Sequence, residues 1–261
     1  MIRKDTILIT ITTASNEIGT VEPISEIGKI ARENNIIFHT DAVCACGFLN
    51  IDVKKMNIDL LSISGNIFYG PLGTGALYIR KGIKILPLIE GGIQERGLRA
   101  GTHNIAGIAG MGIAAKIAKE KMNERNEYLL VLREKLIEGI LKEIPDTFIT
   151  GHRTNRLPYH ASFCFKFIEG ESILLNLDFS GICAISGSTC SSEALKVSHV
   201  LEAIGVPVHW AQGSVAFTLG IDNSPEDIDL LIENLKEIVK RLREISPFKT
   251  EEDFIKFKKE L

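Results

Sequence analysis

Two β-branched runs with a helical repeat between them constrain this chain more than any other feature. TILITITT (6–13) and IIFHTDAV (36–43) each carry the hydrophobic density of a buried strand. Between them, Pro23 opens a helical pattern that sets Ile24, Ile27, Ile30 and Ala31 on one face. Strand, helix, strand at this spacing is a βαβ unit, which predicts a parallel or mixed sheet covered by helices. DLLSIS (59–64) and GALYIR (75–80) read as two further strands. In open α/β sheets the ligand crevice lies beyond the carboxyl ends of strands, and Asp41 and Ser64 stand at two such ends.

Residues 104–143 read as mainly helical. The first segment is rich in Gly, Ala and Ile, as a closely packed helix is; the second alternates apolar and charged residues, as a surface helix does. A domain transition near residue 118 divides the chain into 1–117 and 118–261. The second part is expected to hold a strand (161–168), a helix from Glu171, the loop SGSTCSS, an amphipathic helix (193–204) and a short strand (214–219). Its last helix starts with Ser224 as N-cap, Pro225 at the first position and Asp227 three after the cap. Ile228, Leu231, Leu235, Ile238 and Leu242 give that helix one apolar stripe. The fold class is α/β, with a second, smaller α and β domain.

Bulk properties exclude several classes of function. A net charge of -3 and a pI near 6.1 give no reason to expect nucleic acid or an anionic membrane as partner. No apolar run reaches the roughly 18 residues that span a bilayer. The start, MIRKDTILITITTAS, is basic then apolar, but its threonines and the pattern that follows argue against a signal peptide. The five cysteines (44, 46, 164, 183, 190) lack zinc-ligand spacing and are odd in number. Reduced thiols in a cytoplasmic protein are the simplest expectation.

Several residues are candidates for chemistry. Asp41 in FHTDAV is either a turn or helix cap, or a carboxylate facing a protonated heterocycle nitrogen of the kind pyridoxal phosphate carries. His39, two residues earlier, points to the same face of the sheet and by itself reads as structural. Cys190 in GSTCSS lies between a Gly-Ser loop and a helix start, a polar setting that favours a working thiolate. Cys164 and Cys183 sit in apolar, strand-like runs and read as buried and inert. Cys44 and Cys46 alone are a weak sign of metal or redox chemistry. GGIQERGLRAGTHN (91–104) combines glycines, arginines and Thr102 before a helix, which suits either phosphate or a plain charged loop. Residues 62–80, SISGNIFYGPLGTGALYIR, form a glycine-rich cradle whose centre, Asn66-Ile67-Phe68, has no acid, base or nucleophile.

In order along the chain, SNEIGTVEPISEIGKIA, FHTDAV, DLLSIS, YGPLGTGALYIRKG, GGIQERGLRAGT, EGES, SGSTCSS and SHVLEAIG resemble the NifS/IscS-type cysteine desulfurases of the class V aminotransferase family. The resemblance runs from about residue 7 to residue 245. It implies part of a large pyridoxal-phosphate-binding α/β domain with a mostly parallel sheet over 1–117. Over 118–261 it implies a small α+β domain carrying a persulfide-cysteine loop, and it implies a homodimer. The family converts L-cysteine to L-alanine and passes the sulfur, as a persulfide, to iron–sulfur scaffolds or thiolation factors. By resemblance Asp41 pairs with the pyridine nitrogen, Asn16 lies near the cofactor's phenolic oxygen, and His39 lies in the matching strand. Ser64 binds the phosphate, Thr102 reaches the phosphate of the other subunit, and Cys190 is the persulfide cysteine. A chain without turnover would instead use Cys190 to accept a persulfide or to give a thiolate ligand to the iron of an iron–sulfur cluster in a complex, the remaining alternative being a degenerate gene fragment; no other metal site is expected.

The departures from the family pattern are as informative as the matches. The family's Ser-Gly-His-Lys is Ser64-Gly65-Asn66-Ile67 here, so the Schiff-base lysine is an isoleucine and the phosphate-contacting histidine is Asn66. Without that amine the cofactor is held non-covalently at best, and acid–base help worth about 10²–10⁴ in rate is lost. The family's glutamine after HTDAV is Cys44, and the arginine that clamps the substrate carboxylate is Ala216, which cannot replace a bidentate guanidinium. The family's N-terminal portion, with the first strands of the sheet and a further phosphate loop, has no counterpart in the motifs above. The strands matched here are therefore expected to show an apolar edge, and a separate chain carrying that half is an expected partner.

Overall fold

A computed structural model describes residues 2–186, 198–248, 250 and 252–253. Its residues group into two compact units, the first comprising 1–15 and 21–123 and the second 16–20 and 124–261. The division falls inside one continuous helix, α2 (Ile105–Glu143), where the sequence shows two differently patterned segments.

The first unit is built on a four-stranded sheet in the order β1-β2-β3-β4, with β1 Leu8–Thr12, β2 Ile37–Asp41, β3 Leu60–Ser64 and β4 Gly75–Ile79. β1, β2 and β3 run parallel, and β4 returns antiparallel to β3. Helix α1 (Ile24–Glu33) makes the crossover from β1 to β2. Period-two alternation sorts the two faces of the sheet. Ile9, Ile11, Phe38, Leu61, Ile63 and Tyr78 belong to a core with Ile24, Ala31, Ala42, Ala45 and Ile58. Gly28 lets α1 approach the 52–58 turn: a Cβ there would lie 2.0 Å from the Met56 carbonyl oxygen. Asp59, buried at the start of β3, accepts the Phe38 N–H at 3.0 Å and pairs with Arg80 and Arg32, which fixes β2, β3 and β4 together.

The second unit holds a three-stranded antiparallel sheet in the order β5-β6-β7, with β5 Thr147–Ile149, β6 His160–Phe165 and β7 Ser214–Thr218. Every residue of β6 is buried. Around the sheet lie α3 (Gly170–Phe179), α4 (His199–Ala203), α5 (Val208–Ala211) and α6 (Pro225–Ile245). α6 has the expected capping box: Ser224 Oγ accepts the Asp227 N–H and Asp227 accepts the Ser224 N–H. Its buried stripe is Ile228, Leu231, Leu235, Ile238 and Val239; Leu242 is only half-buried.

Three boundaries differ from the sequence expectation. β5 is an additional strand of three residues. β6 ends at Phe165 rather than 168, because Phe167 takes a left-handed backbone (φ 71°) before α3 begins. Of the helix expected over 193–204, α4 occupies 199–203 with the Ser198 side chain as cap, and 193–197 lie outside the described residues. Among the described residues no helix is long and apolar enough to cross a membrane.

Candidate functional site

The parallel strands of the first unit end on a polar stripe. Register sets Thr10 beside His39 and Thr12 beside Asp41 across β1 and β2, and Asp41 beside Ser62 across β2 and β3. Alternation carries Thr10, Thr12, His39, Asp41 and Ser62 to the face opposite Phe38 and Thr40. Thr40 sits on the buried side, where its hydroxyl meets that of Thr13 at 2.8 Å.

His39 is held between two hydroxyls. Its Nδ1 lies 2.7 Å from Thr10 Oγ1 and its Nε2 lies 2.9 Å from Ser62 Oγ, so one hydroxyl donates and the other accepts, whichever nitrogen carries the proton. Sequence reasoning places His39 and Asp41 on one face, as the structure does, but misses Thr10 and Ser62 as the imidazole's partners. The alternating threonines of TILITITT were the available signal.

Asp41 combines the two roles between which its sequence left the choice open. One carboxylate oxygen accepts the Val43 N–H at 2.8 Å and shapes the turn out of β2. The side chain is nonetheless exposed, and an ionised carboxylate keeps further acceptor positions. The Asp41 backbone carbonyl accepts the Thr13 N–H at 2.7 Å, which fixes the strand end from the β1 side.

After β3 the chain makes a tight 3-10 turn, Gly65–Phe68, closed by Tyr69 in the left-handed region (φ 68°). The Gly70 N–H reaches the Gly65 carbonyl at 2.8 Å, and the Gly65 N–H reaches the Thr74 carbonyl at 2.9 Å. A Cβ at Gly65 would lie 2.6 Å from Thr74 Oγ1, so the turn requires glycine there. Phe68 is buried against Ala114 and Ala118, which anchors the turn on α2. Asn66 is exposed and Ile67 half-buried. The Ser64 hydroxyl donates to Asn66 Oδ1 at 2.5 Å, so the two expected phosphate contacts are bonded to each other.

Thr102 is exposed in the loop before α2. That loop is folded on itself: the Gly101 N–H donates to Gln94 Oε1 at 3.2 Å, His103 meets Glu95 at 3.0 Å, and Glu95 and Arg96 both have positive φ. Asn16 belongs to the second unit, where its carbonyl oxygen lies 2.9 Å from Nε2 of the buried His160. Burial, with the nearby Arg156 adding to it, lowers the His160 pKa to about 4, so the ring is neutral and Nε2–H donates. Gly19 (φ 71°) makes room for that ring, since a Cβ would sit 2.6 Å from Nδ1. Ala216 is buried in β7, opposite Ser162 of β6.

The cysteines separate clearly. Burial, and secondarily Glu17, pushes the Cys164 thiol up to about 12, which keeps it inert. Cys183 is a correction: its apolar neighbours suggest burial, but it is exposed, because among the described residues the strand-like run containing it makes only an isolated bridge at Ile185. Burial raises the Cys46 pKa, and Cys44 is likewise only partly exposed. Cys190 lies outside the described residues.

Pyridoxal phosphate, which the sequence resemblance implies, meets a suitable carboxylate in the exposed Asp41. It meets no amine: position 67 is isoleucine, and β1, β2, β3 and the 64–70 turn contain no lysine. The residues present do not fit the cofactor as a covalently held group.

The sequence matches the aminotransferase class-V family over residues 1–231. It is 55% identical over 251 residues to a cysteine desulfurase IscS of Methanosarcina thermophila, covering 96% of this chain and 62% of that relative. It is 52% identical over 250 residues to one of Dictyoglomus turgidum, covering 96% of this chain and 64% of the relative. Among solved structures, a NifS-like protein superimposes with a TM-score of 0.85 at 35% identity, covering 93% of this chain and 63% of the other. The chain thus spans a little under two thirds of the length of these proteins.

Proposed function

The chain belongs to the class V aminotransferase family, and from that premise we propose that it is a cysteine-desulfurase-type protein with little or no turnover of its own. The observation that carries this reading is the 64–70 turn. Its glycines, its left-handed Tyr69 and its Ser64 keep the form of a cofactor cradle, while Ile67 stands where an amine is required.

Asp41 is the partner of a protonated ring nitrogen, with its strand end held from both sides. His39 stiffens the same face through Thr10 and Ser62, so that the carboxylate is presented in one position. Ser64, Asn66 and, from a second copy, Thr102 supply neutral hydrogen-bonding groups for the phosphate. Pyridoxal phosphate, when bound, would act as an electron sink; no residue of this cradle supplies the proton shuttle that its chemistry needs. Ala216 offers nothing to a substrate carboxylate.

A second reading, as a sulfur acceptor or scaffold-binding partner, is favoured by one observation: the SGSTCSS loop is kept while the catalytic centre is lost. In that role Cys190 carries a persulfide or ligates an iron–sulfur cluster in a complex. Homodimerisation and a cytoplasmic location belong to the same proposal.

The test is sulfide and alanine release from L-cysteine by the purified chain with added pyridoxal phosphate. Release at the level of free pyridoxal phosphate is expected. Catalytic release that Asp41→Asn abolishes would overturn the inactive reading.

A further inference from the structure

We propose that residues 16–20 form an acid-operated latch: a strap seated on the second unit over the His160 ring, which lifts when that ring takes up a proton. The latch needs no cofactor.

The strap belongs to the second unit, although the residues on either side of it belong to the first. Ile18 is buried in an apolar cluster with Cys164, Leu201 and Ala211. The Ile18 carbonyl accepts from Arg156 Nη2 at 2.7 Å, and the Gly19 carbonyl from the Leu157 N–H at 2.8 Å. Thr20 Oγ1 accepts the His152 N–H at 3.0 Å. Gly151 meets the strap without a side chain, since a Cβ there would lie 2.6 Å from the Ile18 carbonyl oxygen. None of these contacts uses a group that titrates between pH 7 and 4.

His160 is the contact that does titrate. Its Nε2–H donates to the Asn16 carbonyl at 2.9 Å. Gly19 covers the rest of the ring, where a Cβ would lie 2.6 Å from Nδ1 and 3.0 Å from Cγ. Nδ1 is buried and has no hydrogen-bond partner among the described residues, and it is the atom that must take the second proton. Burial disfavours the charged ring, and the Arg156 guanidinium adds to that. The Asn16 carbonyl and the backbone of His160 itself favour it, and burial outweighs both. Arg133, Arg153 and Glu134 act on Arg156 from behind, and Glu17 acts on Cys164, further along β6. The other imidazole near the strap, His152, is exposed, and its Nδ1 accepts the Thr154 and Asn155 N–H groups.

Lifting the strap takes Gly19 off the ring and opens it to water, where a histidine titrates near its ordinary 6.5. Seated, the ring titrates at about 4, so acid raises the ratio of lifted to seated strap by about 100-fold from pH 7 to pH 4.

Amide hydrogen exchange of the intact chain tests the latch, followed by NMR between pH 7 and 4 and divided by the intrinsic rate. The Leu157 N–H, bonded to the Gly19 carbonyl, reports lifting; the Phe165 N–H, bonded to the Gly213 carbonyl at 2.9 Å, reports unfolding of the unit. Leu157 is expected to open more often than Phe165, with little response to sub-denaturing urea. Its opening constant is expected to rise about 100-fold from pH 7 to pH 4. His160→Gln keeps a donor for the Asn16 carbonyl but takes up no proton, and is expected to remove the rise. His152→Asn is expected to keep it. Leu157 opening that matches Phe165 in size and urea response, or that changes less than about threefold over this range, overturns the proposal in the unaltered chain, whether or not the variants fold. A folded His160→Gln chain that keeps the rise, or a folded His152→Asn chain that loses it, does the same.

Discussion

Replacing Asp59 with alanine should cost the first unit about 2–4 kcal/mol, through two separable losses. The Asp59 side chain is 5% exposed and accepts the buried Phe38 N–H at 3.0 Å. Without it that N–H has no partner, at about 1–3 kcal/mol. The carboxylate also pairs with Arg80 and, at 3.5 Å, with Arg32. Those guanidiniums are 38% and 43% exposed and can turn to water, so their loss adds only about 1 kcal/mol. Asn at 59 keeps an acceptor for Phe38 but faces Arg80 without charge, so D59N should fall between wild type and D59A. Urea unfolding followed by far-UV circular dichroism reads both variants. A D59A loss below about 1 kcal/mol, with an unchanged denaturant slope, would refute the claim that Asp59 joins β2, β3 and β4.

Two further predictions concern the second unit. His160 has a folded pKa of about 4, below the ordinary 6.5, so on acidification the unfolded chain takes up the proton first. Its stabilising effect is complete above about pH 6.5 and is lost as pH falls toward 4, by about 3 kcal/mol in all; His160→Asn should flatten that part of the stability–pH curve, and an unchanged slope would contradict the assignment. Thiol labelling of the native chain should modify Cys183 rapidly and Cys164 only on unfolding, as mass mapping of the labelled peptides would show.

The strands and helices written in strong local patterns were legible in the sequence. The β-branched runs of β1 and β2 and the Ser224-Pro225-Asp227 start of α6 needed no tertiary information. β5 was not legible, because three residues following Pro145 and the left-handed Asp146 (φ 51°) carry too little pattern; it exists because β6 offers it an edge. The exposure of Cys183 was hidden for a related reason: apolar neighbours do not make a strand without a partner along its length.

In the candidate site, alternation alone placed His39 beside Asp41. The hydroxyls on either side of His39 depend on strand register, which a single sequence does not specify. Nor does the sequence specify that Ser64 donates to Asn66. That residue 67 is an isoleucine, by contrast, is read from the sequence at one position, and the structure adds that it lies half-buried in the tight Gly65–Phe68 turn.

Borohydride reduction of the chain with pyridoxal phosphate, followed by peptide mapping, tests the central claim most directly. The account predicts no phosphopyridoxyl group on any residue between Lys55 and Lys81, and only scattered, substoichiometric modification of surface lysines. One equivalent of phosphopyridoxyl on a single lysine, prevented by Asp41→Asn, would show that the chain holds pyridoxal phosphate covalently and would contradict the account.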